Sequence, residues 1–138
     1  MAKVGLLLTV LLGAVWVACA EDNSVLVLTD DTIDSAIKQN EIIMIKFYAP
    51  WCGHCKRMAP DYEKAAEMLK EKGSKAVIAK LDATAERKAA SDWNIRGYPT
   101  VLTFKNGQMI EKYAGPRTAK DIANYVLEKA DEKKLADL

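Results

Sequence analysis

One stretch of sequence decides the fold: Phe47-Tyr48-Ala49-Pro50-Trp51-Cys52-Gly53-His54-Cys55-Lys56. The apolar run before it predicts a buried strand, and the residues after it follow the spacing of a long helix. Cys52 and Cys55 therefore lie in a first helical turn, where residues three apart share a face and can form a small disulfide ring. Partial positive charge and unpaired N–H groups at the helix N-terminus favour a thiolate at Cys52. A strand, Cys-x-x-Cys and a helix in this order are typical of a redox site.

The segment Trp51-Cys52-Gly53-His54-Cys55-Lys56 resembles the active site of the protein disulfide isomerase family, within the thioredoxin superfamily. The resemblance extends from about Val25 to about Lys129. It implies an α/β, thioredoxin-like fold, in which a central mixed β-sheet is flanked by helices. In such a sheet the third strand lies between the first and second, and the fourth and fifth follow the second.

The patterns in the rest of the chain predict the element order β-α-β-α-β-α-β-β-α. We expect strands at 25–28, 41–48, 76–81, 101–105 and 108–114, and helices ending near 38, 71, 93 and 129. Asn106-Gly107 is a strong hairpin signal. Thr29, Asp30 and Asp31 offer capping oxygens for the first helix. Pro60 should bend the second helix, because it removes one backbone hydrogen bond.

Composition sets broad limits on the class of protein. The 138 residues suffice for one domain, and 50% hydrophobic with 28% charged residues is ordinary for a globular chain. The net charge is +1, and removal of Lys3 with the first 20 residues would leave equal numbers of basic and acidic side chains. Nothing in this balance indicates a nucleic-acid partner.

Residues 1–20 are expected to form a cleavable signal peptide. Lys3 is followed by an uncharged apolar run, and Ala18-Cys19-Ala20 is a small-x-small cleavage site. A retained membrane anchor is the alternative, but the run is shorter than the roughly 20 residues a spanning helix needs. Cleavage would leave a thioredoxin-like domain at 21–130 and a charged tail at 131–138, without a membrane span.

The predicted location is the endoplasmic reticulum lumen or the secretory pathway. Luminal members of the family commonly end in Lys-Asp-Glu-Leu, whereas this chain ends Leu135-Ala136-Asp137-Leu138. We therefore expect either retention through a partner or secretion.

The cysteines of the mature chain are better explained by chemistry than by structural cross-linking. Signal cleavage would remove Cys19, and a ring around two residues constrains little of the unfolded chain. Cys52, at the helix start, is the predicted nucleophile, and Cys55 is the predicted resolving thiol. A structural zinc site is the weaker alternative, since two Cys and one His fall short of four ligands. Haem attachment would need a His where Lys56 stands.

Gly53 and His54 form the dipeptide between the two cysteines. A protonated or donating His54 imidazole would lower the energy of the Cys52 thiolate and so destabilise the disulfide. The site should then be more oxidising than one with Gly-Pro between its cysteines. An inert, exposed His54 is the alternative.

Other expected site residues are Trp51, Tyr98, Pro99 and Arg117. Trp51 is predicted to be a semi-exposed platform beside the thiols, and core packing is equally open. The resemblance implies a cis bond between Tyr98 and Pro99, which would present the Tyr98 backbone to an extended substrate strand. It also implies that Arg117 approaches the second cysteine and lowers its pKa. An ordinary charge near a helix cap is the alternative for Arg117.

Lys46 departs from the family pattern, because it replaces a buried acid, while Lys80 corresponds to the basic partner of that acid. A central strand is covered on both faces, so Lys46 should be at least partly buried. Burial and the Lys80 charge would lower its pKa. A neutral Lys46 could accept the Cys55 proton, and a charged one could stabilise the Cys55 thiolate. A lysine that extends to solvent is the alternative.

The sequence thus predicts a protein disulfide isomerase acting on unfolded or misoxidised secretory proteins. A thiol oxidase or glutathione would restore its disulfide, and the chemistry would need no metal, organic cofactor or nucleic acid. A substrate-binding or chaperone module is one alternative. A thioredoxin-like reductase is another, and a strongly reducing potential would favour it.

Overall fold

A computed structural model describes residues 24–136, with side chains as far as residue 132, so the predicted signal peptide lies outside the described residues. Within that range the chain forms a mixed sheet between two layers of helices. The strands are β1 (Leu26–Val27), β2 (Ile42–Tyr48), β3 (Val77–Asp82), β4 (Thr100–Lys105) and β5 (Gln108–Lys112). The helices are α1 (Ile33–Gln39), α2 (Gly53–Glu71), α3 (Arg87–Asp92) and α4 (Ala119–Ala136).

The sheet has the order β1-β3-β2-β4-β5, which confirms the predicted thioredoxin-like fold. Strand β2 lies at its centre, parallel to β3 and antiparallel to β4. Residues 42–47 of β2 are all buried. Both faces of this strand are covered, which explains why its sequence is continuously apolar except at Lys46.

Side chains of β2 alternate between two hydrophobic layers. Met44 packs into a core formed with α2 and α4. Ile43, Ile45 and Phe47 pack into a core formed with α1 and α3. Lys46 lies on the Met44 face, with its ammonium over the ring of Tyr62 from α2. The central strand therefore carries a lysine into the layer that also holds α2, the helix that begins beside the two cysteines.

The predicted hairpin is confirmed, since Asn106 and Gly107 have φ angles of 51° and 84° between β4 and β5. The predicted end of the last helix at Lys129 is wrong, because α4 continues to Ala136. Part of the segment predicted as a charged tail is thus helical. None of the helices within residues 24–136 is long and apolar enough to cross a membrane.

The predicted capping role of Asp30 is also wrong. Its carboxylate accepts a hydrogen bond from the backbone N–H of Ala89 at 2.7 Å, in the first turn of α3. In return, the Asp30 backbone N–H donates to the carboxylate of Glu86, the N-cap of α3, at 2.8 Å. Thr32 is the N-cap of α1, and its side chain makes no capping bond there. Asp30 therefore caps α3 across the fold.

Candidate active site

The two thiols lie where the central strand passes into α2. Cys52 is the N-cap of α2, with an extended backbone at φ −75° and ψ 119°. Its backbone N–H donates to the Ala49 carbonyl at 3.1 Å, which closes the turn after β2. Its sulfur accepts a hydrogen bond from the Cys55 backbone N–H at 3.4 Å. The sulfur of Cys52 thus takes the position of a capping oxygen at an orphan helical N–H.

The surroundings of Cys52 favour its thiolate. A hydrogen bond from the Cys55 side chain is the largest contribution that lowers the pKa of Cys52, followed by the backbone N–H of Cys55. The backbone N–H of His54 and the charge of Arg117 lower this pKa further, against an opposing effect of burial. Donors directed at a sulfur stabilise its anionic form. Cys52 is therefore the thiol suited to nucleophilic attack.

Cys55 has the opposite character. Burial is the largest contribution that raises the pKa of Cys55, followed by its hydrogen bond to Cys52. The backbone of Ala49 and the charge of Lys46 act in the opposite direction. Both cysteines are largely covered, since Cys52 is 7% and Cys55 is 3% exposed. Both cysteines are free thiols, and their pKa values are shifted in opposite directions.

His54 is exposed, and its ring makes a different contact from the predicted one. Arg57 lies on the same helix face, and its guanidinium donates to Nδ1 of His54 at 2.8 Å. Because a guanidinium has no acceptor, Nδ1 must be unprotonated in this arrangement. The backbone N–H of His54 lowers the pKa of Cys52, and the expected role of the imidazole stays a prediction.

The loop before β4 lies beside the two cysteines, with Tyr98 next to Cys52 and Trp51. The Tyr98–Pro99 bond is cis, as predicted. The Cys52 thiol donates to the Tyr98 carbonyl at 3.6 Å, so the Tyr98 backbone does lie beside the dithiol. The Trp51 side chain is 70% exposed, and its ring meets the Tyr98 ring edge-on at 5.8 Å between centroids. Trp51 is thus a surface platform and not a core residue.

Arg117 lies in the exposed segment between β5 and α4. Its charge lowers the pKa of Cys52, whereas the sequence predicted an effect on Cys55. The backbone before it is shaped by Tyr113, whose hydroxyl donates to the Pro116 carbonyl at 2.5 Å. A Cβ on Gly115 would lie 2.8 Å from that hydroxyl, so this close approach requires glycine.

Lys46 is 3% exposed, which confirms its predicted burial. Burial is the main cause that lowers its pKa, and the neighbouring charge of Lys80 adds to it. The two lysines are register partners on β2 and β3. Lys46 and Cys55 line the same cavity, and each affects the pKa of the other. The structure therefore brings Lys46 next to Cys55.

Two contacts of the site were missed by sequence reasoning. The Lys46 ammonium lies 4.6 Å from the ring centre of Tyr62 and 5.7 Å from that of Tyr48. Strand alternation alone could have indicated Tyr48, which is two residues from Lys46. No local signal indicates Tyr62, which comes from the middle of α2 and bonds the Ala79 carbonyl at 2.6 Å. Among the described residues, no group of three or more His, Cys, Asp or Glu could hold a metal ion.

Comparisons with known proteins agree with this geometry. The thioredoxin family model matches residues 24–128. Protein disulfide-isomerase 1 of Caenorhabditis elegans is 46% identical over 120 residues, which are 87% of this chain and 24% of that protein. Protein disulfide-isomerase of Drosophila melanogaster is 47% identical over 108 residues, which are 78% of this chain and 22% of that protein. The chain thus spans about a quarter of the length of these relatives.

A solved structure shows the same similarity at the level of one domain. The first thioredoxin domain of mouse protein disulfide-isomerase A4 superposes with a TM-score of 0.72 and 41% sequence identity. The match covers 81% of this chain and 79% of that domain structure. The likeness is therefore to a complete thioredoxin domain and not to a fragment of one.

Proposed function

The chain belongs to the thioredoxin family, and we propose that it is a thiol–disulfide oxidoreductase of the protein disulfide isomerase type. One observation carries the proposal: two free thiols in one helical turn have pKa values shifted in opposite directions. Thiol–disulfide exchange needs this division, with one thiol reactive as a thiolate and the other held back until a mixed disulfide forms.

The exchange begins with attack of the Cys52 thiolate on one sulfur of a substrate disulfide. A Cys52–substrate mixed disulfide forms, and the other substrate sulfur leaves as a thiolate that takes a proton. Cys55 then loses its proton and attacks Cys52, so the Cys52–Cys55 disulfide forms and the reduced substrate leaves. The reverse sequence oxidises a substrate dithiol, and attack by another substrate thiol on the mixed disulfide rearranges the pairing.

Lys46 is proposed to assist the second step. Its amine lines the cavity next to Cys55, and its positive charge lowers the pKa of that thiol. A neutral Lys46 can accept the Cys55 proton, and a charged Lys46 can stabilise the resulting thiolate. Arg117 is proposed to act earlier, by stabilising the Cys52 thiolate from the surface.

Substrates are proposed to be unfolded or misoxidised proteins of the secretory pathway. The exposed ring of Trp51 offers apolar contact, and the Tyr98 backbone beside Cys52 can pair with an extended chain without reading its side chains. A thiol oxidase or glutathione would return the dithiol to the disulfide. The signal-like residues 1–20 support this location, and N-terminal sequencing of secreted material should find Glu21 first.

A trapping experiment tests the proposal. In Cys55→Ser the resolving thiol is absent, so mixed disulfides with a scrambled substrate protein should accumulate at Cys52. In Cys52→Ser, Cys55→Ser both exchange and trapping should disappear. If the double variant still reactivated scrambled substrate at the normal rate, the enzyme assignment would be wrong. A chaperone function would then be the remaining interpretation. A measured reduction potential as low as that of a dedicated reductase would overturn the oxidase role.

A further inference from the structure

We propose that the cavity beside Cys55 is a binding site for a small monovalent inorganic anion, held by Lys46 and Lys80. The cavity has a volume of about 120 Å³ and lies between β2, β3 and the first turns of α2. A volume of this size exceeds by several-fold the roughly 10–15 Å³ that one water needs. An ion of the size of chloride therefore fits with room to spare.

The charges around this cavity have one sign. Lys46, Lys56 and Lys80 line it, and none of its lining residues is an aspartate or glutamate. Lys46 and Lys80 lie side by side on paired strands, and the charge of Lys80 raises the cost of charging Lys46. An anion between them would relieve this repulsion, as a counter-ion does for any buried like-charged pair.

The Lys46 side chain is buried along its length, and its ammonium has no polar partner on the protein. The residue is 3% exposed, and among the described residues its ammonium makes no hydrogen bond or ion pair. No buried side-chain nitrogen among these residues lacks a partner, so the ammonium itself reaches solvent in the cavity. Its close contacts are the ring faces of Tyr48 and Tyr62. Ring faces attract a cation but accept no strong hydrogen bond, so the donors of this ammonium are left for a ligand in the cavity.

Two acidic groups raise the pKa of Lys46: Cys55, which lines the cavity, and the carboxylate of Glu63 on α2. Glu63 is exposed and lies outside the lining of the cavity. Its charge is therefore screened by water and does not take the place of a bound counter-ion. The site is thus built from a donor at the end of a buried side chain, a second cation and a cavity that is open to solvent on one side.

Anion binding would act on the proposed resolving step, and this consequence rests on the proposed function. The positive charge of Lys46 favours the Cys55 thiolate. A bound anion neutralises that charge and should make the Cys55 thiolate harder to form. Chloride should therefore slow release of a Cys52-linked substrate, while it leaves the alkylation rate of Cys52 nearly unchanged.

Chloride itself is the probe, and thermal unfolding of the reduced protein is the primary readout. At constant ionic strength, chloride is exchanged for gluconate, a much larger anion. A ligand that binds the folded state raises Tm with its concentration. Chloride line broadening in NMR gives a second measure of binding that does not depend on unfolding.

Three variants locate the site. Lys46→Met should weaken chloride binding about tenfold or more, since one charged hydrogen-bond donor is lost. Lys80→Met keeps that donor and should weaken binding several-fold. Lys64→Met removes an exposed lysine of α2 that does not line the cavity, and it should bind chloride like the wild type.

Two results would overturn the anion site. Equal Tm values in chloride and gluconate would mean a general salt effect, and full chloride binding by Lys46→Met would place the ion elsewhere. Neither result bears on the redox assignment, because the Cys52→Ser, Cys55→Ser variant tests exchange separately. That double variant should lose exchange and still bind chloride.

Discussion

At the residue scale, the difference in reactivity between the two thiols depends on a few hydrogen-bond donors around the sulfur of Cys52. The backbone N–H groups of Cys55 and His54 donate to Cys52 and lower its pKa. Burial is the main cause that raises the pKa of Cys55. In the wild-type dithiol we expect iodoacetamide to modify Cys52 rapidly below pH 7 and Cys55 slowly. Peptide mass spectrometry over a pH series measures both rates, and equal rates would refute the role assignment.

Lys46→Met tests the proposed assistance to Cys55. Methionine keeps the length and apolar bulk of the side chain but removes both the base and the charge. We expect slower release of a Cys52-linked substrate in single-turnover kinetics, with Cys52 alkylation unchanged. Lys64→Met is the matched control. Release kinetics equal to the wild type between about pH 6 and 8 would leave Lys46 without a role in resolution.

The same substitution should stabilise the fold. The pKa of Lys46 is lowered from 10.5 by burial, so its charged form costs the folded state free energy below that lowered pKa. We expect Lys46→Met to raise the free energy of unfolding by about 1–3 kcal/mol at neutral pH. The gain should fall as pH rises toward 10.5, where the unfolded chain also loses the proton. Urea titrations at neutral and alkaline pH measure it.

Sequence reasoning reached much of the site at this scale. Spacing alone placed Cys52 at a helix start, and strand alternation placed Lys46 in a covered face. It could not give the Arg57 contact of His54, because exposed side chains choose between several partners. It also missed the ring of Tyr62 under Lys46, since the packing of α2 on the sheet decides that contact.

At the element scale, Asp30 ties the loop before α1 to the start of α3. Asp30→Ala would leave the Ala89 N–H without its acceptor, and we expect a loss of about 1 kcal/mol in the free energy of unfolding. Asp31→Ala is the control, because Asp31 is exposed and caps no helix. Urea unfolding compares them, and equal effects of the two substitutions would contradict the cross-fold cap.

The substitution Gly115→Ala tests whether the turn before Arg117 requires the close approach of residue 115 to Tyr113. In Gly115→Ala the new methyl group would lie 2.8 Å from the Tyr113 hydroxyl and 2.9 Å from its ring carbons. The ring is held by Tyr125, with centroids 4.7 Å apart, so it cannot move freely. We expect a loss of about 1–3 kcal/mol in the free energy of unfolding.

Gly97→Ala is the matched control for this turn. A Cβ on Gly97 would meet no atom within 4 Å, so the substitution should change stability little. Chemical denaturation of both variants gives the comparison. A tolerated Gly115→Ala would mean that the Tyr113 ring moves aside at little cost.

Element order was predictable because each helix and strand has its own periodicity, and the fold class followed from that order. Helix ends were less predictable. Lys129 looked like an end because charged residues follow it, yet α4 continues to Ala136, since an exposed charged segment is compatible with helix. The cap of α3 by Asp30 depends on two segments that are distant in sequence, and local rules assign such a residue to the nearer helix.

At the scale of the whole molecule, the redox state of the dithiol should set the stability of the fold. The reduced protein gains from the Cys52 thiolate, which the folded state stabilises with hydrogen bonds absent from the unfolded chain. The oxidised protein lacks that thiolate. Its disulfide ring encloses two residues and constrains little of the unfolded chain, so it offers small compensation. We therefore expect the reduced protein to be the more stable form near neutral pH.

The pH dependence of this difference has a definite sign. The pKa of Cys52 is lowered from 9.0 in the folded state, so between the two values the folded protein binds fewer protons than the unfolded chain. The extra stability of the reduced form is therefore complete above the unfolded pKa and is lost as pH falls through the folded one. The raised pKa of Cys55 acts only at more alkaline pH, outside this window.

Urea unfolding of reduced and oxidised protein between about pH 5 and 8 measures the difference directly. We expect it to grow with pH in the wild type. Cys52→Ser cannot form the disulfide, and its stability should lack the rise with pH that the reduced wild type shows, because serine does not ionise in this range. His54→Ala should keep the difference between reduced and oxidised protein, since the backbone N–H of residue 54 remains. A difference that stays constant across this range would mean that ionisation of Cys52 does not set the stability difference between the reduced and oxidised forms.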